Sequence, residues 1–198
     1  MTRTELPGVR LSERNLHLRG FATIPAMTDE YLGKMLGVAC DMADADGATL
    51  FVVDGAVLRP YLVYRLPVEY IQGIGNVQVG AQCCGRAVEH KRAWIVADML
   101  SDPLFAQGRA GAENSPIRAG FSVPVMDGDT VIASLACHFK RPHTPSDLDV
   151  ERNQAFAKLI AITLRTRLPF SFEGRPCYVD SKHGAAGVYP AVRQDGAA

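Results

Sequence analysis

The sequence predicts one α+β domain, an antiparallel sheet flanked by two long helices. Three observations carry this reading. Apolar residues recur at helical spacing near the start and again near residues 148–163. Between those stretches lie two strand pairs joined by tight Asp-Gly turns. The remaining segments are short and punctuated by Gly and Pro, which favours strands and brief helices over a third long helix. A chain of 198 residues is long enough for one sizeable core.

Residues 1–27 carry scattered apolar positions without sustained periodicity and read as an irregular arm or a short helix. The domain proper is expected over residues 28–168. In "TDEYLGKMLGVACDMADAD", Leu32, Met35, Leu36, Ala39, Met42 and Ala43 form a helical stripe. Thr28 is the expected N-cap, with Asp29 and Glu30 placing negative charge on the first turn. "GATLFVVD" and "AVLRPYLVYRL" then read as a hairpin turning at Asp54-Gly55. Pro60 removes a ladder donor, so its strand lies at an edge or carries a bulge.

"PVEYIQGIG" reads as a short helical or turn segment, and Gly80 leads into a helix over "AQCCGRAVEHKR". "AWIVAD" is a short strand. "SDPLFAQGRAGAEN" opens with capping residues and a first-turn Pro, a helix start that its glycines weaken. "IRAGFSVPVM" and "TVIASLACHFKR", joined at Asp127 to Asp129, form the clearest hairpin. The last helix starts at a capping box of Ser146 with Asp149 and carries Leu148, Ala155, Phe156, Leu159, Ile160 and Thr163 as its stripe. Residues 169–198, rich in Gly, Pro and Ala, read as a tail or extended arm.

Lys+Arg and Asp+Glu number 21 each, without a basic cluster, which argues against a nucleic-acid or anionic-membrane surface. The N-terminus lacks the apolar run of a signal peptide, and no apolar run approaches the roughly 20 residues that span a bilayer. A cytoplasmic location is therefore expected. The five cysteines, Cys40, Cys83, Cys84, Cys137 and Cys177, then read as thiols rather than a disulfide framework.

A dispersed pattern now stands out: Leu66-Pro67 with Tyr70; Cys84-Gly85 with Ala87 and Val88; Asp98, Asp102-Pro103 and Phe105; Gly120, Ser122 to Pro124, Asp127-Gly128, Pro142, Pro145 and Ser146. Over about residues 28–167 this resembles the GAF domain family, sensory modules related to PAS domains. The resemblance implies a six-stranded antiparallel sheet, the first and last helices together on one face, and a small-molecule pocket of loops and short helices on the other. It also implies dimerisation through those two helices and regulation of an effector. Residues 169–198 are too few for an effector domain, which needs at least about 50 residues. The expectation is thus a homodimer that regulates a separate signalling partner, works alone, or is a fragment of something longer.

Chemistry is harder to read. Cys83 and Cys84 lack the further ligands that a metal site needs at workable spacing, so no metal is expected. His90 is six residues beyond Cys84, off its helix face. Cys137 and His138 sit on a strand, where alternation sends them to opposite faces, against covalent bilin attachment. The expected residues around a pocket are Tyr64, Cys84, Trp94, Asp98, Asp102, Phe105, Phe121 and Ser122, with core packing and helix capping as their competing roles. The ligand and any cofactor are not specified.

The leading reading is a small-molecule-binding regulatory domain without catalysis. A thiol-dependent reductase like the free methionine sulfoxide reductases, using Cys84 with Cys83 as a second thiol, is the alternative. Against it, no cysteine lies between Cys84 and Cys137, where that subfamily carries one. A ligand-free dimerisation scaffold is the third reading.

Overall fold

The computed structural model describes residues 24–165 together with 177–179 and 186–188. Most of the expected arm at 1–27 and most of the expected tail lie outside them, and residues 24–27 of that arm belong to the first helix.

The chain runs α1 (Ile24–Met42), β1 (Gly47–Asp54), β2 (Val57–Tyr64), α2 (Val68–Ile74), β3 (Val77–Gln78), α3 (Gln82–His90) and β4 (Trp94–Val96). A 3₁₀ turn (Pro103–Gly108), α4 (Arg109–Glu113), β5 (Ala119–Asp127), β6 (Thr130–Phe139) and α5 (Asp147–Arg165) complete the domain. Beyond them lie β7 (Cys177–Val179) and β8 (Ala186–Val188).

The six strands β1–β6 form an antiparallel sheet in which β4, β5, β6, β1 and β2 lie side by side and β3 pairs with β2. Both hairpins close as the Asp-Gly pairs require. Asp54 pairs with Val57 and Asp127 with Thr130, and Gly55 and Gly128 adopt φ of 61° and 58° in the two-residue turns. The register of β1 against β2 slips between Leu50 and Phe51, leaving Tyr61 as the extra residue beside Pro60. β3 pairs with Val57 and Leu58, and β7 runs parallel to Leu62–Tyr64. The proline therefore falls between these two edge ladders, where its missing N–H interrupts neither.

α1 begins earlier than expected. Its first residue is Ile24, so Thr28 lies inside the helix rather than capping it. Pro25 explains the shift: in a first turn its missing N–H costs no intrahelical bond. The capping box of α5 forms as predicted. The Ser146 N–H donates to Asp149 Oδ2 at 3.0 Å, and the Asp149 N–H donates to Ser146 Oγ at 3.2 Å. "SDPLFAQGRAGAEN" splits into the 3₁₀ turn and α4. Asp102 caps the former, accepting from the Leu104 N–H at 2.7 Å, with Pro103 directly after it.

α1 and α5 pack on one face of the sheet over a continuous apolar cluster that includes Leu32, Leu36, Leu50, Leu135, Ile160 and Leu164. The opposite face, here the site face, carries α2, α3, the 3₁₀ turn and α4 over two smaller clusters. A Cβ on Gly85 would overlap the Gln78 carbonyl oxygen, so only glycine lets α3 lie this close to β3. Among the described residues, no helix is long and apolar enough to cross a membrane.

Candidate functional site

The site face encloses a cavity of about 20 Å³, enough for roughly one water molecule. Its floor is β-sheet, including Phe51, Ala136 and His138. Its roof is Tyr70 and Ile71 of α2, Cys83 and Cys84 of α3, and Phe105 of the 3₁₀ turn. The roof is tied together at its outer edge. A Cβ on Gly73 of α2 would lie 2.8 Å from the Cα of Gly111 in α4, so the two backbones touch.

A hydrogen-bonded chain crosses this interior. His138 Nε2 lies 2.9 Å from Thr49 Oγ1, and its Nδ1 lies 3.1 Å from the Tyr70 hydroxyl, itself 3.7 Å from Met99 Sδ. Burial lowers the His138 pKa to about 3, so the imidazole is neutral at physiological pH. With no Asp, Glu, Lys or Arg among the lining residues, the cavity carries no formal charge.

Both cysteines of "QCCG" are buried and point into different clusters. The Cys83 thiol donates to the Trp94 carbonyl at 3.2 Å. Cys84 lies against the hydroxyls of Ser122 and Ser134, which are 2.5 Å apart. Burial pushes the Cys84 pKa up to about 11, against smaller opposing hydrogen bonds from the two serines. Cys83 is raised well above its ordinary value, by burial first and then by its neighbour Cys84. Neither thiol yields appreciable thiolate at neutral pH, and thiolate is the reactive form.

The remaining expected residues scatter. Phe105 lines the cavity and Ser122 stands behind Cys84. Tyr64 lies on the helix face, because its partner Ala48 faces α1 and α5; its ring meets Gly37 of α1. Phe121 also sends its ring to the helix face, stacking on Phe139 at 6.3 Å, and reaches the cavity only along the strand. Trp94 is half-buried at the rim, stacked on His90 at 5.0 Å with Arg92 5.0 Å over its ring. Asp98 is held by Arg118, whose Nη2 lies 2.9 Å from each carboxylate oxygen. Burial raises its pKa, but the Arg118 bonds outweigh this and the carboxyl sits below its usual range. Asp102 caps the 3₁₀ turn. Four of the eight expected residues, Cys84, Phe105, Phe121 and Ser122, therefore lie at or directly behind the cavity.

The residues not foreseen are Tyr70, Met99 and Gln82, together with the interior position of His138. Strand parity with Ala136 places His138 on the site face; its burial depends on α2, which the sequence does not position. Gln82 is the first residue of α3 and has φ of 51°. Among the described residues, four non-glycines adopt positive φ; Asp44, Arg65 and Lys91 are exposed, and Gln82 alone is buried. That conformation costs about 1–2 kcal/mol for an L-residue. Only 6% of Gln82 is exposed, yet its carboxamide has no hydrogen-bond partner among the described residues. No sequence signal marks such strain.

The family-level comparison agrees with this geometry. The GAF domain family model matches residues 27–164, well over half of the chain. This protein belongs to the GAF domain family. Its sheet, paired terminal helices and covered site face recur in solved GAF structures. The GAF domain/HD domain protein from Geobacter sulfurreducens superposes with a TM-score of 0.63 at 12% identity, covering 75% of this chain and 98% of that one. A domain assigned to a two-component sensor histidine kinase from Sinorhizobium meliloti gives 0.58 at 14%, covering 69% and 90%. The type II free methionine-R-sulfoxide reductase from Thermoplasma acidophilum gives 0.56 at 16%, covering 70% and 96%. At these identities the likeness is one of fold. No curated protein sequence matches the chain.

Proposed function

We propose that this GAF domain is a non-catalytic regulatory module that binds a small molecule on its site face and signals through α1 and α5 to a separate partner. The observation carrying this reading is the distribution of buried polar groups. Among the described residues, Thr49, Gln82, Ser122, Ser134 and His138 are on the site face, and only Asn153 is on the helix face. A scaffold needs no such interior. Buried polar groups destabilise a domain unless paired, and a ligand pocket is where they are useful.

The closed cavity supports a population-shift mechanism. No ligand of metabolite size enters about 20 Å³, so binding selects a state in which α2 and α4 move away from the sheet. Their Gly73–Gly111 contact favours movement as one unit. Occupancy would then be felt across the sheet at α1 and α5. Those helices leave Tyr31, Val38, Leu148, Leu159 and Ile162 exposed, Ile162 at 63%, which supports a homodimer through this face. Ile162→Glu is expected to convert a dimer to monomer in sedimentation velocity; an unchanged sedimentation coefficient excludes that surface.

The buried, protonated thiols of Cys83 and Cys84 weigh against the reductase alternative. Cys40, Cys83, Cys84 and Cys137 are free thiols, which supports a reducing location. A thermal-shift screen against metabolites tests the reading. Binding raises the midpoint with concentration by an amount set by the dissociation constant. At least one compound class should do so, and a broad screen without any concentration-dependent rise contradicts a ligand-binding role.

A further inference from the structure

Gln82 joins three properties that rarely coincide: buried position, left-handed backbone and an unpartnered carboxamide. The carboxamide spends neither its donor nor its acceptor on the protein, so both are free for a partner in the cavity. The strained backbone adds a cost where glycine would sit without strain. Residues held in sparsely populated conformations concentrate at ligand clamps. The surroundings sharpen the reading. The side chain lines the cavity with Tyr70, Phe105 and His138, and a Cβ on Gly108 would lie 2.9 Å from its Oε1. Gly108 thus packs directly against that oxygen and the Phe105 ring, and holds the carboxamide at the cavity edge. The preceding residue, Ala81, lines a hollow of about 220 Å³ between the start of α3 and the 3₁₀ turn, so Gln82 stands next to both spaces.

We propose that Gln82 is the specificity-determining residue of the site-face cavity, recognising an uncharged ligand by a donor and an acceptor on one edge. Amides and lactams carry such an edge. The ligand's buried part is uncharged because no charged side chain lines the cavity. The carboxamide offers an N–H₂ donor and a carbonyl acceptor side by side, and only a complementary edge satisfies both. This assignment rests on the cavity being the ligand site.

The matched probes are 2-pyrrolidinone, which presents N–H and C=O on one edge, and cyclopentanone, which keeps the ring and carbonyl but lacks the N–H. Binding is read by NMR at the Ile71 and Ile74 methyl groups, in the wild type, Gln82→Met and Gln82→Gly. The glycine variant relieves the backbone strain and so guards against a folding failure of the methionine variant. Expected is a preference for 2-pyrrolidinone of about fivefold in the wild type, one hydrogen bond's worth, which both variants lose. If both probes bind without that preference, or the variants retain it, Gln82 does not set specificity while the cavity reading stands. If neither probe shifts the site-face methyls up to solubility, both readings fall.

Discussion

The two faces of the sheet are built from the same strands and solve different problems. On the helix face, alternate residues of β1, β2, β5 and β6 meet two long helices in one continuous apolar cluster. On the site face, the intervening residues meet four short elements, and the interior holds a histidine, two serines, a threonine and a glutamine. Long helices bury a stripe with few ends to cap, whereas short elements add termini, turns and close glycine contacts. The helix face is therefore organised for stability. The site face gives up stability for polar groups that packing does not require.

The largest expected effect tests the stability side. Leu36→Ala, in the middle of the helix-face core, should cost about 3 kcal/mol in urea unfolding. The same variant should leave probe binding on the site face within twofold of wild type after correction for folded fraction. Loss of binding at full folding would show that the faces are not separable.

An acid titration comes next. His138 is neutral in the folded state with a pKa of about 3, against 6.5 for the ordinary imidazole. Above pH 6.5 neither state is protonated and the group has no effect. Below it the unfolded chain takes up a proton that the folded protein refuses, so stability falls with pH until about 3. The slope is about 1.4 kcal/mol per pH unit. His138→Gln should remove that part of the slope between pH 6 and 4, measured by denaturant midpoints. An identical slope in the variant would mean the imidazole is hydrated in the native state.

The smallest effect has the opposite sign. Gln82→Gly should stabilise the domain by about 0.5–1 kcal/mol, because glycine accepts positive φ freely but has more unfolded-state entropy to lose. A stabilising substitution at a buried polar residue fits a position kept for binding. Destabilisation would place Gln82 among structural residues.

Much of this architecture is legible in the sequence, and the reason is local. Asp54-Gly55 and Asp127-Gly128 fix their hairpins, Pro60 marks its edge and bulge, and Ser146 with Asp149 starts α5, each through contacts within a few residues. The start of α1 at Ile24 is missed because Pro25 within the first turn competes with Thr28 as the boundary signal. The site is less legible. Phe105 and Cys84 reach the cavity, but Tyr64 and Phe121 turn to the helix face because strand parity, counted through pairing partners, decides the direction of each ring. Asp98 and Asp102 are engaged by Arg118 and by a helix cap, a competition that composition does not resolve. Tyr70, His138 and Gln82 meet only because α2, α3 and β6, distant in sequence, converge on one cavity.

The central claim is that ligand binding belongs to the site face. Methyl-resolved NMR of the wild-type protein during titration with a small-molecule library tests it most directly. Ile71, Ile74 and Met99 report on the site face, and Ile160 and Ile162 on the helix face. The expected result is saturable shifts at the first three, with smaller, dependent shifts at α5 from the same compounds. Shifts confined to α5, or none at any site-face methyl across the library, would contradict it.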